Sequence, residues 1–227
     1  IDGVSATLDR LITELDADPI RVAAKDGVPE TLIDGQRLAV FTFLMLYGDT
    51  EATYIPWMLA GLDRRDTDVA SWTARIGSLI ESSSAGATDE GTYFAVQCHD
   101  RAPFTTGPPE SMSEFASVIS SPPPSEACDP WGFAGSASAE QGRPVESTIP
   151  TLLMAGGFDP ITPADYARSA AKHLTNSVVV EQPGRGHGIW YGSDCIGDIV
   201  LSFVSDPGRS LDTSCAAEPA SIDWSGP

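Results

Sequence analysis

The chain has 227 residues, and its 32 acidic side chains outnumber 13 basic ones for a formal charge of −19. A surface this acidic repels phosphates and anionic lipid, which argues against nucleic acid and membrane surfaces as partners, and its plainest reading is a solvated acidic exterior. Hydrophobic residues make up 41%, enough for a core, and no apolar run reaches the ~20 residues that span a bilayer. The sequence opens on Ile1 rather than Met, so a processed or truncated product is expected, with any leader lost beforehand.

Val4, Leu8, Leu11, Ile12 and Leu15 recur at helical spacing, and Asp16-Ala17-Asp18-Pro19 ends that helix. Ile20–Pro29 reads as extended and polar. Thr31 or Asp34 caps a second helix, apolar almost all round from Leu38 to Tyr47 and closed by Gly48-Asp49. Further helices are expected over Tyr54–Leu62 and Val69–Ile80, with a loop or linker at Ser82–Thr88. No strand is evident in the first ~85 residues.

Thr92–Cys98 is short and rich in β-formers, which predicts a strand. His99 follows it, without an acid at a spacing that would recruit it, so a structural role is expected. Ser111–Ile119 reads as a helix broken by Pro122-Pro123-Pro124, and Trp131 as packing near a cysteine.

The most informative stretch is Ile149–Tyr191. Thr151–Ala155 and Val178–Val180 have the character of buried strands, and Pro163–Leu174 of a helix between them. Strand–helix–strand is a parallel crossover unit, and parallel sheets collect their chemistry at the carboxyl ends of their strands. Asp159 lies just past the first strand and His187 just past the second. An acid that orients an imidazole is two thirds of a Ser-His-Asp relay, and the order acid then His is that of α/β-hydrolases. The glycines beside them, Gly156-Gly157 and Gly184, Gly186 and Gly188, allow the sharp turns this placement needs. Ser193–Val204 then reads as a closing helix capped by Ser193 or Asp194, stopped by Asp206-Pro207-Gly208.

The motifs I-P-T-L-L-M-A-G-G-F-D-P-I-T-P, G-R-G-H-G, Ser193-Asp194-Cys195 and the later Cys215 resemble the C-terminal part of α/β-hydrolases of the tripeptidyl-aminopeptidase-like and proline iminopeptidase group. Weaker similarity extends upstream through Leu46-Tyr47 and A-V-Q-C-H-D at Ala95–Asp100. The resemblance implies an α/β fold with the C-terminal half of the parallel sheet (residues 89–227) and a helical lid (residues 1–88). It implies Asp159 and His187 as catalytic residues, and a secreted or cell-envelope serine hydrolase that removes short N-terminal peptides or prolyl residues. A carboxylesterase of the same fold is the nearest alternative. Asp49, Glu51, Asp63 and Asp66 are the acids available to meet a substrate's free amine, although each reads more simply as solvent-facing.

Four cysteines, Cys98, Cys128, Cys195 and Cys215, contain no C-x-x-C pair, which argues against zinc or a thioredoxin-like dithiol. Three pairings are open to them, as are four reduced thiols. The resemblance favours Cys98–Cys128 with Cys195–Cys215, the second tying down the tail in an oxidising compartment. His99, His173 and His187 are the only histidines and no H-E-x-x-H occurs, so neither metal nor cofactor is expected.

No G-x-S-x-G occurs in these 227 residues. The nucleophile elbow and its oxyanion hole are therefore expected elsewhere, in an N-terminal half that partners this chain. Alone, the chain is expected to be inactive. A module that keeps a half-sheet for binding without catalysis is the rival from another class.

Overall fold

The computed structural model describes residues 2–25, 29–84, 89–101, 104, 112–119, 128–132, 138, 140–190, 193–218 and 224. The chain divides into two compact units, Ile1–Phe41 with Met58–Arg143, and Thr42–Trp57 with Pro144–Pro227.

The first unit is mainly helical. Helix α1 (Asp2–Ala17) buries the stripe Leu8, Leu11, Ile12 and Leu15. It is followed by β1 (Ile20–Val22) and β2 (Thr31–Ile33), antiparallel with Ile20 opposite Ile33. The sequence pass expected no strand here. Three-residue strands are too short to display alternation, but Ile20, Val22 and Ile33 all point into the core. Helix α2 (Gly35–Met45) starts where Asp34 Oδ1 accepts the Arg37 amide at 2.8 Å and Asp16 Oδ1 accepts the Gly35 amide at 2.8 Å.

A short helix α3 (Asp49–Ala52), not anticipated, precedes α4 (Ile55–Asp63). Helix α5 (Thr67–Ser84) begins on Asp66, whose Oδ1 accepts the Asp68 and Val69 amides at 2.9 and 3.2 Å. The expected linker is partly helix, since Ser82–Ser84 belong to α5; residues 85–88 lie outside the described residues.

The largest correction concerns Thr92–Cys98. It is helix α6 (Glu90–Val96), running into a π-turn over Gln97–Arg101, and not a strand. Asp89 Oδ1 accepts the Thr92 amide at 2.7 Å, an N-cap that local β-propensity does not override. Propensity for strand is largely fitness for a pleated surface, and among the described residues no strand lies beside this run to provide one. Helix α7 (Glu114–Ile119) is shorter than expected and receives a cap from Asp9, whose Oδ1 accepts the Phe115 amide at 3.0 Å. Ser111 and Pro122–Pro124 lie outside the described residues. Cys98 is buried and bonded to Cys128, while nearby Trp131 is exposed rather than packed away.

The second unit contains β3 (Thr151–Gly156), α8 (Ala164–Ala171), β4 (Ser177–Gln182) and α9 (Asp194–Ser205). β3 and β4 are parallel in the register Leu152 to Val178, Met154 to Val180 and Gly156 to Gln182. Side chains alternate across a strand, so Leu152, Val178 and Val180 share one face. There they meet Ile189, Ile196, Ile199 and Ala216 in a core closed by α9 and the tail. On the opposite face Glu181 pairs with Arg168 of α8. The two strands are thus covered on both sides, as parallel strands require.

Burial of side chains such as Ile196 and Val180 contributes about 1.5–3 kcal/mol each. Ser193 caps α9 through its hydroxyl, and Cys195 is bonded to Cys215 in the tail. Among the described residues this sheet has two strands, so each keeps one open edge, and Val145, Ile149 and Met154 along β3 and its approach are exposed.

Candidate active site

Both chemistry-bearing side chains stand at the carboxyl edge of the β3–β4 pair. β3 ends at Gly156, and Asp159 lies in the turn that follows. That turn is built by the acid itself: Asp159 Oδ1 accepts the Ile161 and Thr162 amides at 2.8 and 2.9 Å. Oδ2 accepts the Thr162 hydroxyl at 2.7 Å. β4 ends at Gln182, and the chain then turns through Gly184 (φ +78°) and Gly188 (φ +75°), both in the left-handed region that only glycine adopts without strain. His187 sits between them.

The His187 Nδ1–H donates to the Asp159 carboxylate, with Nδ1 2.9 Å from Oδ2 and 3.0 Å from Oδ1. The Asp159 side chain is 3% exposed and that of His187 is 37% exposed. A buried acid thus faces a partly exposed imidazole. Burial by itself would push the Asp159 carboxyl up. The Thr162 amide and hydroxyl, the His187 ring and the Ile161 amide together outweigh it and hold the carboxyl below its ordinary value. The acid is therefore held in its ionised form beside the imidazole. With Nδ1 committed as a donor, the neutral ring carries its lone pair on Nε2, the tautomer a general base needs.

Two segments brought together here were not paired by sequence reasoning. Leu46–Asp49 lies against the histidine loop, and Tyr47 meets the His187 ring edge-on with centroids 5.3 Å apart. The only signal for it was the upstream similarity at Leu46-Tyr47. Thr162 was visible in the F-D-P-I-T-P motif but carried no assigned role. Of the acids offered for a substrate amine, Asp49 pairs with Arg185, Asp63 with Arg10, and Asp66 caps α5. His99 bonds to its neighbour Asp100. Among the described residues no cluster of His, Cys, Asp or Glu could hold a metal, and no helix is long and apolar enough to cross a membrane.

The end of β3 and the histidine loop touch so closely that a side chain at Gly156 would displace the loop. A Cβ there would lie 2.1 Å from the Gly186 carbonyl oxygen and 2.5 Å from that of Arg185. Both contacts are backbone, so the loop itself must move. Gly156→Ala should cost about 1–3 kcal/mol by overpacking and displace His187 from Asp159. Urea unfolding and the His187 imidazole NMR signals would check both effects.

A parallel strand–helix–strand unit with an acid–imidazole pair at its carboxyl edge is the C-terminal hallmark of an α/β-hydrolase. Residues 115–215 match the family model described as TAP-like protein. That span is a little under half of the chain and includes both Asp159 and His187. It makes the segment a relative of the α/β-hydrolases and supports, at that coarse level, a hydrolase. No curated protein and no solved structure matched the chain.

Proposed function

We propose that this protein supplies the acid and the base of a serine hydrolase that cleaves peptide bonds near a free N-terminus, with the serine outside these 227 residues. The observation that carries the reading is the 2.9 Å approach of the His187 Nδ1, in a side chain that is itself partly exposed, to a buried, ionised Asp159. In the reaction the serine hydroxyl gives its proton to Nε2 as its oxygen attacks the carbonyl carbon. Asp159 stabilises the imidazolium that forms. His187 then hands the proton to the departing amine, and the same residues activate the water that releases the acyl group.

The open strand edges and the exposed Val145, Ile149 and Met154 support a partner that continues the sheet, since an uncovered apolar edge invites aggregation. The TAP-like match supports the peptidase class over an unrelated hydrolase. The two disulfides suit an extracytoplasmic location.

Intact mass spectrometry after labelling with a fluorophosphonate probe tests the reading. A second polypeptide, or a flanking segment of the same protein, should carry the label, and His187→Ala should abolish it. A preparation containing this chain alone that hydrolyses peptides would overturn the placement of the serine.

A further inference from the structure

We propose that Asp49 is a positioning residue for His187. With the backbone of Leu46–Tyr47 it forms a clamp on the Arg185–His187 turn. The proposal rests on the reading of Asp159 and His187 as acid and base.

Every residue of that turn is gripped by the same short segment. Asp49 Oδ1 accepts the Gly186 amide at 2.6 Å, and Oδ2 accepts the Arg185 guanidinium. The His187 amide donates to the Tyr47 carbonyl at 3.1 Å. The Tyr47 ring then contacts the imidazole edge-on. Gly186 has no space for a side chain, because a Cβ would lie 2.7 Å from the Tyr47 carbonyl oxygen and 2.8 Å from that of Leu46. Such proximity fixes the turn in depth, while the two carboxylate bonds fix it laterally.

Asp159 cannot do this alone. Its bond to Nδ1 aligns the ring, but the ring hangs from a loop with glycine on either side of Arg185 and of His187. Glycine gives that loop freedom to form its turns and, equally, freedom to leave them. Misplacement of a catalytic group by about 1 Å costs on the order of 100-fold in rate. The clamp removes that freedom from a point about 137 residues away in sequence, where the bond between Asp49 and Gly186 is made.

Stability is not the simplest purpose of the Asp49–Arg185 pair. Both side chains are only partly buried, so solvent still screens part of their attraction. The guanidinium Nε is buried with no partner among the described residues, and the guanidinium bonds through Nη1 to Asp49. A role for Asp49 in binding a substrate amine is less simple, since its charge is already paired with the Arg185 guanidinium.

The test is NMR on the 227-residue chain, wild type against Asp49→Ala, Asp49→Asn and Asp49→Glu. In Asp49→Ala the Gly186 and His187 amides should exchange with solvent at least tenfold faster. The downfield Nδ1–H signal of His187, assigned by its loss in His187→Gln, should broaden away. The Val178–Val180 amides in β4 should keep their protection. Asp49→Asn retains an acceptor for Gly186 but loses the charge opposite Arg185, so it should fall between; Asp49→Glu should restore part of the signal. Unchanged exchange and an unchanged Nδ1–H signal in Asp49→Ala overturn the clamp. So does loss of β4 protection in step with the loop, which would make Asp49 a general support of the fold. If Asp49→Ala does not fold, the same two readouts in Asp49→Asn decide. Failure of the catalytic reading would appear separately, as undiminished probe labelling in His187→Ala, and would leave the exchange result intact.

Discussion

Asp159→Asn should slow acylation of the serine by about 10⁴-fold while leaving the turn after β3 in place. The asparagine side chain has one acceptor oxygen where the carboxylate has two. Four protein donors now converge on the carboxylate: the Ile161 and Thr162 amides, the Thr162 hydroxyl and the His187 Nδ1–H. If the amide oxygen keeps the two backbone bonds, the NH₂ group faces Nδ1. The ring must then place its proton on Nε2, and that tautomer cannot take the serine's proton. On the proposed reading His187→Ala removes the base itself, and a loss of about 10⁶-fold is expected. The double variant should be little worse than His187→Ala, because the two residues act as one unit. Rates of fluorophosphonate labelling measured across the series check this; losses that simply multiply would mean the pair does not operate together.

The pH profile carries an independent sign. The Asp159 carboxyl titrates below its unfolded value, so its contribution to stability is present above about pH 4 and is lost as pH falls through the lowered folded value. Asp159→Asn should therefore lose the most stability relative to wild type near neutrality and converge on it in acid. Melting temperatures measured from pH 2 to about pH 7 would show the convergence. A gap that widens in acid would contradict the assigned state of the carboxyl.

The carboxyl edge of β3–β4 was legible in the sequence because its signals are local and mutually consistent. Turn residues bound two apolar runs, a proline opens the helix between them, and glycines surround the two chemical residues. The strand forecast at Thr92–Cys98 failed for the opposite reason. Its aromatic and β-branched residues speak to a pleated neighbour that the described residues do not provide, whereas one Asp89 side chain fixes a helix start. The β1–β2 pair was missed because three residues give no period to read. The clamp was missed because nothing in the L-Y-G-D tetrapeptide announces contact with a loop more than a hundred residues later. Asp49 was noticed as part of a helix stop and as a charge, and charge alone reads as solvent-facing.

Removing the Cys195–Cys215 bond as the double alanine variant should destabilise the protein more than removing Cys98–Cys128, although loop entropy alone predicts the reverse. Twenty residues separate the first pair and thirty the second. In the chain-entropy model these loops are worth about 3.3 and 3.7 kcal/mol, a difference of only about 0.4 kcal/mol. Packing decides the order. Cys215 adjoins Ala216, which is buried against Val180, Ile196 and Ile199, and Leu211 lies against the same core. Freeing the tail therefore uncovers one face of β4, and re-exposing even part of a side chain such as Val180 costs about 1–2 kcal/mol. Cys128 is followed closely by the exposed Trp131. The order Cys195–Cys215 above Cys98–Cys128 should appear in urea midpoints, and amide exchange in β4 should accelerate in the former variant alone. The reverse order would mean that loop entropy, and not the seating of the tail on the sheet, governs how much each bridge stabilises the protein.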